Sequence, residues 1–220
     1  MIKAIIFDLD NTLIDFMKMK RLSCEAAIEA MISAGLEVEK EKGLKILFQL
    51  YSKYGLEYQK IFQVFLKKIL GRIDYGIMAS GIVAYRRVKE VMLYPYPNVV
   101  STLNELKKKY RLAILSDAPK IQAWIRLAAM QIQDKFDLVI TYDETRAKKP
   151  NLKPFLYILK KLKLNPEECL IVGDSLKRDV APAKKLGFKT VFAKYGSEKE
   201  KAKIKPNYII NDIKDLLRFM

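Results

Sequence analysis

The sequence contains no histidine and only two cysteines, and these shortages narrow the chemistry that it can perform. Without histidine, acid–base catalysis has to use carboxylates, lysine, tyrosine or cysteine. A metal site has to be built from oxygen ligands, which favours hard ions such as Mg²⁺ over zinc. Cys24 and Cys169 are too few for a disulfide framework or a zinc site, which predicts a protein of the reducing cytoplasm.

Long apolar runs and nucleotide-binding loops are also missing from the sequence. No apolar stretch approaches the roughly 20 residues that cross a bilayer, and the N-terminal apolar run stops at Asp8, too early for a signal peptide. We therefore expect no membrane association. Neither a GxGxxG loop nor a P-loop motif is present, so a nucleotide cofactor is not predicted.

The formal net charge of the 220 residues is +16. A basic surface can bind nucleic acid or attract anionic substrates. The lysines are spread at helical spacing, as in Asn104–Lys109, and do not form one tail. We interpret them as solvated helix faces. A basic nucleic-acid-binding protein is kept as an alternative, although it leaves the motifs described below unexplained.

Residues 93–220 alternate between helical patterns and apolar strands. Helices are predicted at about 98–109, 119–131, 152–163 and 179–186, with a last one at the C-terminus, and the strands are RLAILS, FDLVIT, CLIVGD, KTVFA and NYIIN. Together with the strand AIIF near the N-terminus, this alternation is typical of a parallel sheet covered on both faces.

Residues 16–92 show helical patterns alone. Three helical runs end on glycines, at Gly35, Gly55 and Gly71, and a fourth at about 77–92 precedes two prolines in LYPYPNVV. The prediction is therefore an α/β core domain, residues 1–15 and 93–220, interrupted by an all-helical domain, residues 16–92.

Charged or hydroxyl side chains follow the strands of the predicted sheet. Sites in such sheets form at the carboxyl ends of the strands, so these side chains are expected to lie together. The candidates are Asp8 and Asp10 after the first strand, Ser116 and Asp117 after the second, Lys149 in the loop beyond the third, and Asp174 and Asp179 after the fourth.

These four pieces resemble, in order, the four motifs of the haloacid dehalogenase (HAD) superfamily. The motifs are DxDxT at Asp8, Asp10 and Thr12, a serine after a strand at Ser116, a lysine before proline at Lys149, and GDxxxxD at Asp174 and Asp179. The resemblance covers essentially the whole chain. It implies a Rossmann-like parallel-sheet core with a small all-α cap.

The resemblance also implies the roles of the first acids. Asp8 would attack phosphorus to give an aspartyl-phosphate, while Asp10 would serve as general acid and then as general base. Mg²⁺ would be held by the Asp8 side chain, the Asp10 main-chain carbonyl and the Asp174 side chain.

The remaining motif residues would handle the phosphoryl group and support the ligands. Ser116 and Asp117 would bind phosphate, and Lys149 would neutralise the transferring group. Thr12 and Asp179 would support the residues that contact the metal and the phosphate, with Asp179 orienting Lys149 or the metal's waters.

The cap segments AIEAMISAGL and ASGIVAYRRVK, with KKP, resemble archaeal phosphatases linked to glyceraldehyde 3-phosphate and the N-acylneuraminate-9-phosphatase branch. This resemblance implies a Mg²⁺-dependent phosphatase for a small phosphorylated metabolite, such as glyceraldehyde 3-phosphate or a sugar phosphate, with the cap closing to exclude water. The acid at Asp10 favours a phosphatase over a 2-haloacid dehalogenase. A phosphoglucomutase-like phosphoryl transferase stays open, as does a homodimeric assembly.

Several other charged residues lie outside the motifs. Asp15 is interpreted as a helix-start acid or a solvated side chain. Arginine side chains could contact an anionic substrate, but each is predicted to be a solvated surface residue: Arg21, Arg72, Arg86, Arg87, Arg126 and Arg178.

Overall fold

The computed structural model describes residues 1–197 and 203–220, which divide into two compact units. The α/β unit comprises Met1–Asp15 and Tyr94–Met220, and the helical unit comprises Phe16–Leu93. Within the described ranges, we find no helix with the length and apolar character that a membrane crossing requires.

The described elements follow one another along the chain as strands and helices. The strands are β1 Ala4–Phe7, β2 Arg111–Leu115, β3 Leu138–Ile140, β4 Cys169–Gly173, β5 Lys189–Ala193 and β6 Tyr208–Ile210. The α-helices are α1 Phe16–Ser33, α2 Lys40–Tyr54, α3 Ile61–Leu70, α4 Tyr75–Val91, α5 Val99–Lys107, α6 Lys120–Ala129, α7 Tyr142–Thr145, α8 Lys153–Leu162 and α9 Ala181–Leu186.

The strands form one parallel sheet in the order β3-β2-β1-β4-β5-β6. The central strand β1 is buried along its whole length, which explains why all four of its residues are apolar. Side chains such as Ile6, Leu115 and Phe155 are buried in one cluster of the α/β core. The predicted α/β class with a parallel sheet is confirmed.

Two predicted helices differ from the structure. The segment predicted as a helix at 179–186 begins with a π-helical turn, Leu176–Val180, and continues as α9. The terminal segment is a 3₁₀-helix, Ile213–Arg218, whose first turn is capped reciprocally by Asp212 and Asp215.

The helical unit has its own apolar core. Met31 of α1, Leu47 of α2 and Phe65 of α3 are fully buried, and α4 adds Ile77 and Met78. The helix α2 begins at Lys40, where the Glu39 side chain accepts hydrogen bonds from two backbone N–H groups of the first turn. Burial of these apolar faces supplies the main stabilisation of the four helices.

Candidate active site

The carboxyl ends of β1, β2 and β4 lie side by side in the α/β unit. Phe7 at the end of β1 is paired with Ile114 in β2 and with Val172 in β4. Asp8 follows β1 directly, and its backbone N–H donates to the Val172 carbonyl at 2.9 Å. Ser116 and Asp174 directly follow β2 and β4. The strand order therefore gathers residues that are more than 160 positions apart in the sequence.

Lys149 is the buried cation of this cluster. Its Nζ lies 2.7 Å from Asp8 Oδ1 and 2.5 Å from Asp179 Oδ1, and it donates to the Leu115 carbonyl at 3.1 Å. Burial by itself disfavours the ammonium, but the carboxylates of Asp179, Asp8 and Asp117 outweigh burial and hold the pKa of Lys149 above its usual value. Lys149 is therefore positively charged at neutral pH.

Asp179 is held on both carboxylate oxygens. Its Oδ1 contacts Lys149, and its Oδ2 accepts a hydrogen bond from the Ser175 N–H at 3.1 Å. A Cβ at position 173 would collide with this carboxylate, so the close approach requires Gly173. Burial raises the pKa of Asp179 to about 6, and the charge of Lys149 acts in the opposite direction.

Asp8, Asp174 and Asp179 place one carboxylate oxygen each within 4.8 Å of one another, an arrangement that could hold a metal ion. Asp8 Oδ2 and Asp174 Oδ1 are buried and have no hydrogen-bond partner in the described part of the chain. Burial, followed by the charge of Asp8, raises the pKa of Asp174 to about 8. Since Asp179 is already engaged, Asp8 and Asp174 offer the oxygens that fit a hard divalent cation.

Asp10 forms an ion pair with Arg126. The Arg126 Nη1 donates to Asp10 Oδ2 at 3.0 Å, and the Arg126 side chain is 1% exposed. The prediction that Arg126 is a solvated surface residue is therefore wrong. The sequence does contain a signal for the burial of Arg126, because Arg126 occupies the same face of α6 as the buried Ala123 and Leu127.

Arg178 is exposed, as predicted, but its guanidinium faces the carboxylate cluster, which was not predicted. Its Nη2 lies 4.0 Å from both Asp8 Oδ2 and Asp174 Oδ1, and its Nη1 lies 3.6 Å from Asp117 Oδ2. Partial burial opposes the charge, yet these carboxylates hold the pKa of Arg178 above its usual value. In the sequence, the proximity of Arg178 to the site is indicated by its position next to Asp179 in GDxxxxD.

Ser116 and Asp117 lie in the turn after β2. Ser116 is buried, and its Oγ accepts a hydrogen bond from the Ala118 N–H at 3.2 Å, which leaves the hydroxyl hydrogen able to donate elsewhere. The Asp117 Oδ1 accepts a hydrogen bond from the Lys149 backbone N–H at 2.9 Å. The Asp117 carboxylate thus connects the turn after β2 to the loop that carries Lys149.

The loop after β1 is supported by a segment that the sequence analysis did not identify. The Thr12 carbonyl accepts a hydrogen bond from the Tyr195 hydroxyl at 2.8 Å, while the Thr12 side chain is fully buried. A Cβ at position 196 would collide with the Asn11 carbonyl, so Gly196 permits this approach. The signal is the short KYG sequence after β5, whose tyrosine and glycine both contact the loop.

Comparison with known proteins identifies the family. The family described as haloacid dehalogenase-like hydrolase matches residues 2–187. This chain belongs to the haloacid dehalogenase-like hydrolases. The prediction of a HAD-type hydrolase, made from the four motifs, is confirmed.

Relatives of this HAD-like hydrolase cover nearly its whole length. A glyceraldehyde 3-phosphate phosphatase of Methanocaldococcus jannaschii is 37% identical over 219 residues, covering 99% of this chain and 96% of the relative. A second protein of that name, from Methanothermobacter thermautotrophicus, is 34% identical, with 98% of each chain covered. The crystal structure of a HAD phosphatase from Thermococcus onnurineus is 26% identical with a TM-score of 0.72, covering 99% of this chain and 97% of the other.

The other charged candidates of this HAD-like hydrolase are surface residues or lie outside the cluster. The arginines of the helical unit are exposed, as predicted: Arg21, Arg72, Arg86 and Arg87. Asp15 is partly buried at the end of the first segment of the α/β unit.

Proposed function

We propose that this HAD-like hydrolase is a Mg²⁺-dependent phosphatase that acts on a small phosphorylated metabolite, with glyceraldehyde 3-phosphate as the first candidate. The observation that carries the proposal is the state of Asp8. One of its carboxylate oxygens contacts Lys149, and the other is buried beside Asp174 without a hydrogen-bond partner in the described residues. The names of the two archaeal relatives support the choice of substrate.

In the first half of the proposed reaction, one carboxylate oxygen of Asp8 attacks phosphorus. A bond forms between this oxygen and phosphorus, the ester P–O bond breaks, and its electron pair goes to the leaving oxygen. Asp10 donates a proton to that oxygen, so the product leaves as an alcohol. Lys149, whose Nζ lies 2.7 Å from Asp8 Oδ1, offsets negative charge beside the reacting group.

In the second half, water hydrolyses the aspartyl-phosphate. Asp10 accepts a proton from the water, the water oxygen bonds to phosphorus, and Asp8 is released as a carboxylate with inorganic phosphate as product. Arg126 contributes by holding Asp10 Oδ2 in place at 3.0 Å. Ser116 can donate its hydroxyl hydrogen to a phosphoryl oxygen.

Mg²⁺ would be held by the side chains of Asp8 and Asp174 and by the Asp10 main-chain carbonyl, and it would neutralise phosphoryl charge. We assign the Asp117 carboxylate to positioning Lys149 and Arg178, because a carboxylate repels phosphate. Asp179 orients Lys149, and Thr12 anchors the loop that contains Asp8.

We also propose that the two units are separate domains, close to residues 1–15 with 93–220 and residues 16–92. Cys24 and Cys169 are both free, buried thiols, and we infer a reducing compartment such as the cytoplasm.

The proposal is tested with a panel of phosphorylated metabolites assayed for phosphate release in Mg²⁺ and in EDTA. We expect release by the wild type in Mg²⁺, none in EDTA, and a loss of at least about 10⁴-fold in Asp8→Asn, because the nucleophile is removed. Asp134→Asn, in an exposed turn of the α/β unit, is the matched control and should keep full activity.

Four results would contradict the proposal. Retained Mg²⁺-dependent release by Asp8→Asn would exclude the covalent intermediate. Halide release from 2-haloacids in EDTA would indicate a dehalogenase, and phosphate transfer to a second sugar without net release would indicate a mutase. Strong, salt-sensitive retention of DNA or RNA, without phosphatase activity, would indicate a nucleic-acid-binding protein.

A further inference from the structure

Arg178 faces the carboxylate cluster but belongs to no position that the HAD motifs assign. Its guanidinium lies 4.0 Å from Asp8 Oδ2 and from Asp174 Oδ1, and both of these buried oxygens have no hydrogen-bond partner among residues 1–197 and 203–220. The same two oxygens are those that fit a divalent cation. Arg178 and a metal ion would therefore interact with the same two carboxylate oxygens.

The cluster contains four carboxylates and two cations, and the cations differ in how firmly they are held. Lys149 makes ion pairs at 2.5 and 2.7 Å and its side chain is 1% exposed, so it cannot leave without disrupting the core. Arg178 makes longer contacts, at 3.6 to 4.0 Å, and its side chain is 44% exposed. Arg178 is thus the cation that can move into solvent.

We propose that Arg178 competes with the divalent cation for Asp8 and Asp174 and thereby lowers the affinity of the metal site. The inference rests on the proposed function, which places Mg²⁺ at these two residues. A guanidinium near both oxygens offsets their mutual repulsion, and a cation that binds there has to displace this positive charge. Removal of the guanidinium should therefore strengthen metal binding.

The test measures Mg²⁺ binding to the full chain by titration calorimetry, without substrate, for the wild type, Arg178→Gln and Arg178→Met. Both variants remove the charge, and circular dichroism shows whether each is folded. We expect Mg²⁺ to bind about tenfold more tightly to both, a modest value because solvent screens a half-exposed charge. Lys185→Gln, which removes an exposed charge from α9, should leave the affinity within about threefold of the wild type.

Thermal unfolding gives a second readout of the same competition. The stabilisation that Mg²⁺ adds should be larger in both Arg178 variants than in the wild type, because binding to the folded state stabilises it by an amount that grows with the logarithm of the affinity. Unchanged or weaker Mg²⁺ affinity in the variants would overturn the inference. Absence of Mg²⁺ binding in the wild type and in both variants would overturn the proposed function and this inference with it, whereas equal binding in all three would overturn the inference alone.

Discussion

Lys20 in the helical unit and Lys149 in the α/β unit are both almost fully buried, but their surroundings differ. Lys149 contacts the carboxylates of Asp8 and Asp179. Lys20 donates a hydrogen bond to the Tyr85 hydroxyl at 3.0 Å, and its Nζ lies 4.0 Å from the centre of the Tyr51 ring. The Lys149 ammonium thus contacts two carboxylates, and the Lys20 ammonium contacts two tyrosine side chains of its own unit.

This difference indicates what each unit's interior is built for. Buried carboxylates are unfavourable unless cations join them, so a cluster of four around Lys149 and Arg178 is suited to charge chemistry. Cation–π contacts such as those of Lys20 contribute about 0.5–2 kcal/mol each and keep a long side chain packed among rings. We therefore expect substitutions in the α/β cluster to affect catalysis first, and substitutions around Lys20 to affect stability modestly.

The largest effect is expected for Lys149→Met. Phosphate release should fall at least about 10³-fold, because the charge beside the transferring group is lost. The free energy of unfolding should fall by about 3–5 kcal/mol, because two buried carboxylates lose their partner. Lys148→Met, at the exposed neighbouring position, should retain both properties. Activity within tenfold of the wild type would show that Lys149 does not act on the phosphoryl group.

A smaller effect is expected for Arg126→Met, which removes the ion pair between Arg126 and Asp10. We expect kcat to fall about 10- to 100-fold while KM changes little, since Asp10 is less well positioned for proton transfer. Arg126→Lys keeps the charge and should recover part of kcat. Steady-state kinetics on the best substrate of the panel provides the measurement, and a change confined to KM would contradict a role through Asp10.

In the helical unit, Lys20→Met should change the free energy of unfolding by no more than about 2 kcal/mol, because an apolar side chain of similar length can fill the same space. Urea unfolding measures this change. Tyr85→Phe removes only the hydroxyl acceptor and should cost about 1 kcal/mol. A loss as large as that of Lys149→Met would abolish the distinction between the two lysines.

The smallest effect concerns the two thiols, one in each unit. Burial raises the pKa of Cys24 to about 11 and that of Cys169 to about 12. At pH 8 roughly one Cys24 thiol in a thousand, or fewer, is ionised, so both should react slowly with a disulfide reagent in the native protein and rapidly in guanidinium chloride. In the Cys169→Ser variant only Cys24 can react, so the variant gives the rate of Cys24 by itself. Rapid native reaction of Cys24 would show that the helical core opens readily.

The sequence alone predicted the parallel α/β class and most of the cluster for a clear reason. Carboxyl ends of parallel strands meet at one edge of the sheet, so Asp8, Ser116 and Asp174 could be placed together without coordinates. The place of Lys149 in the cluster was predicted from its motif, a lysine before proline. The burial of Arg126 beside Ala123 and Leu127 was not predicted, because an arginine is almost never fully buried unless it is paired and its partner Asp10 is distant in the sequence.

Arg178 could not be placed from the pattern alone. The direction of its side chain depends on the π-helical turn Leu176–Val180, where Ser175 Oγ accepts a hydrogen bond from the Arg178 N–H at 3.1 Å. The contact between Tyr195 and Thr12 likewise joins residues 183 positions apart in the sequence.

Periodicity and motif order, which can be read along the chain without coordinates, determined the fold class and the family, and they predicted Asp8 as the nucleophile. Which cations meet the carboxylates was decided by tertiary structure. A side chain several bonds long can point toward the cluster or away from it, and only the packing around it selects one direction.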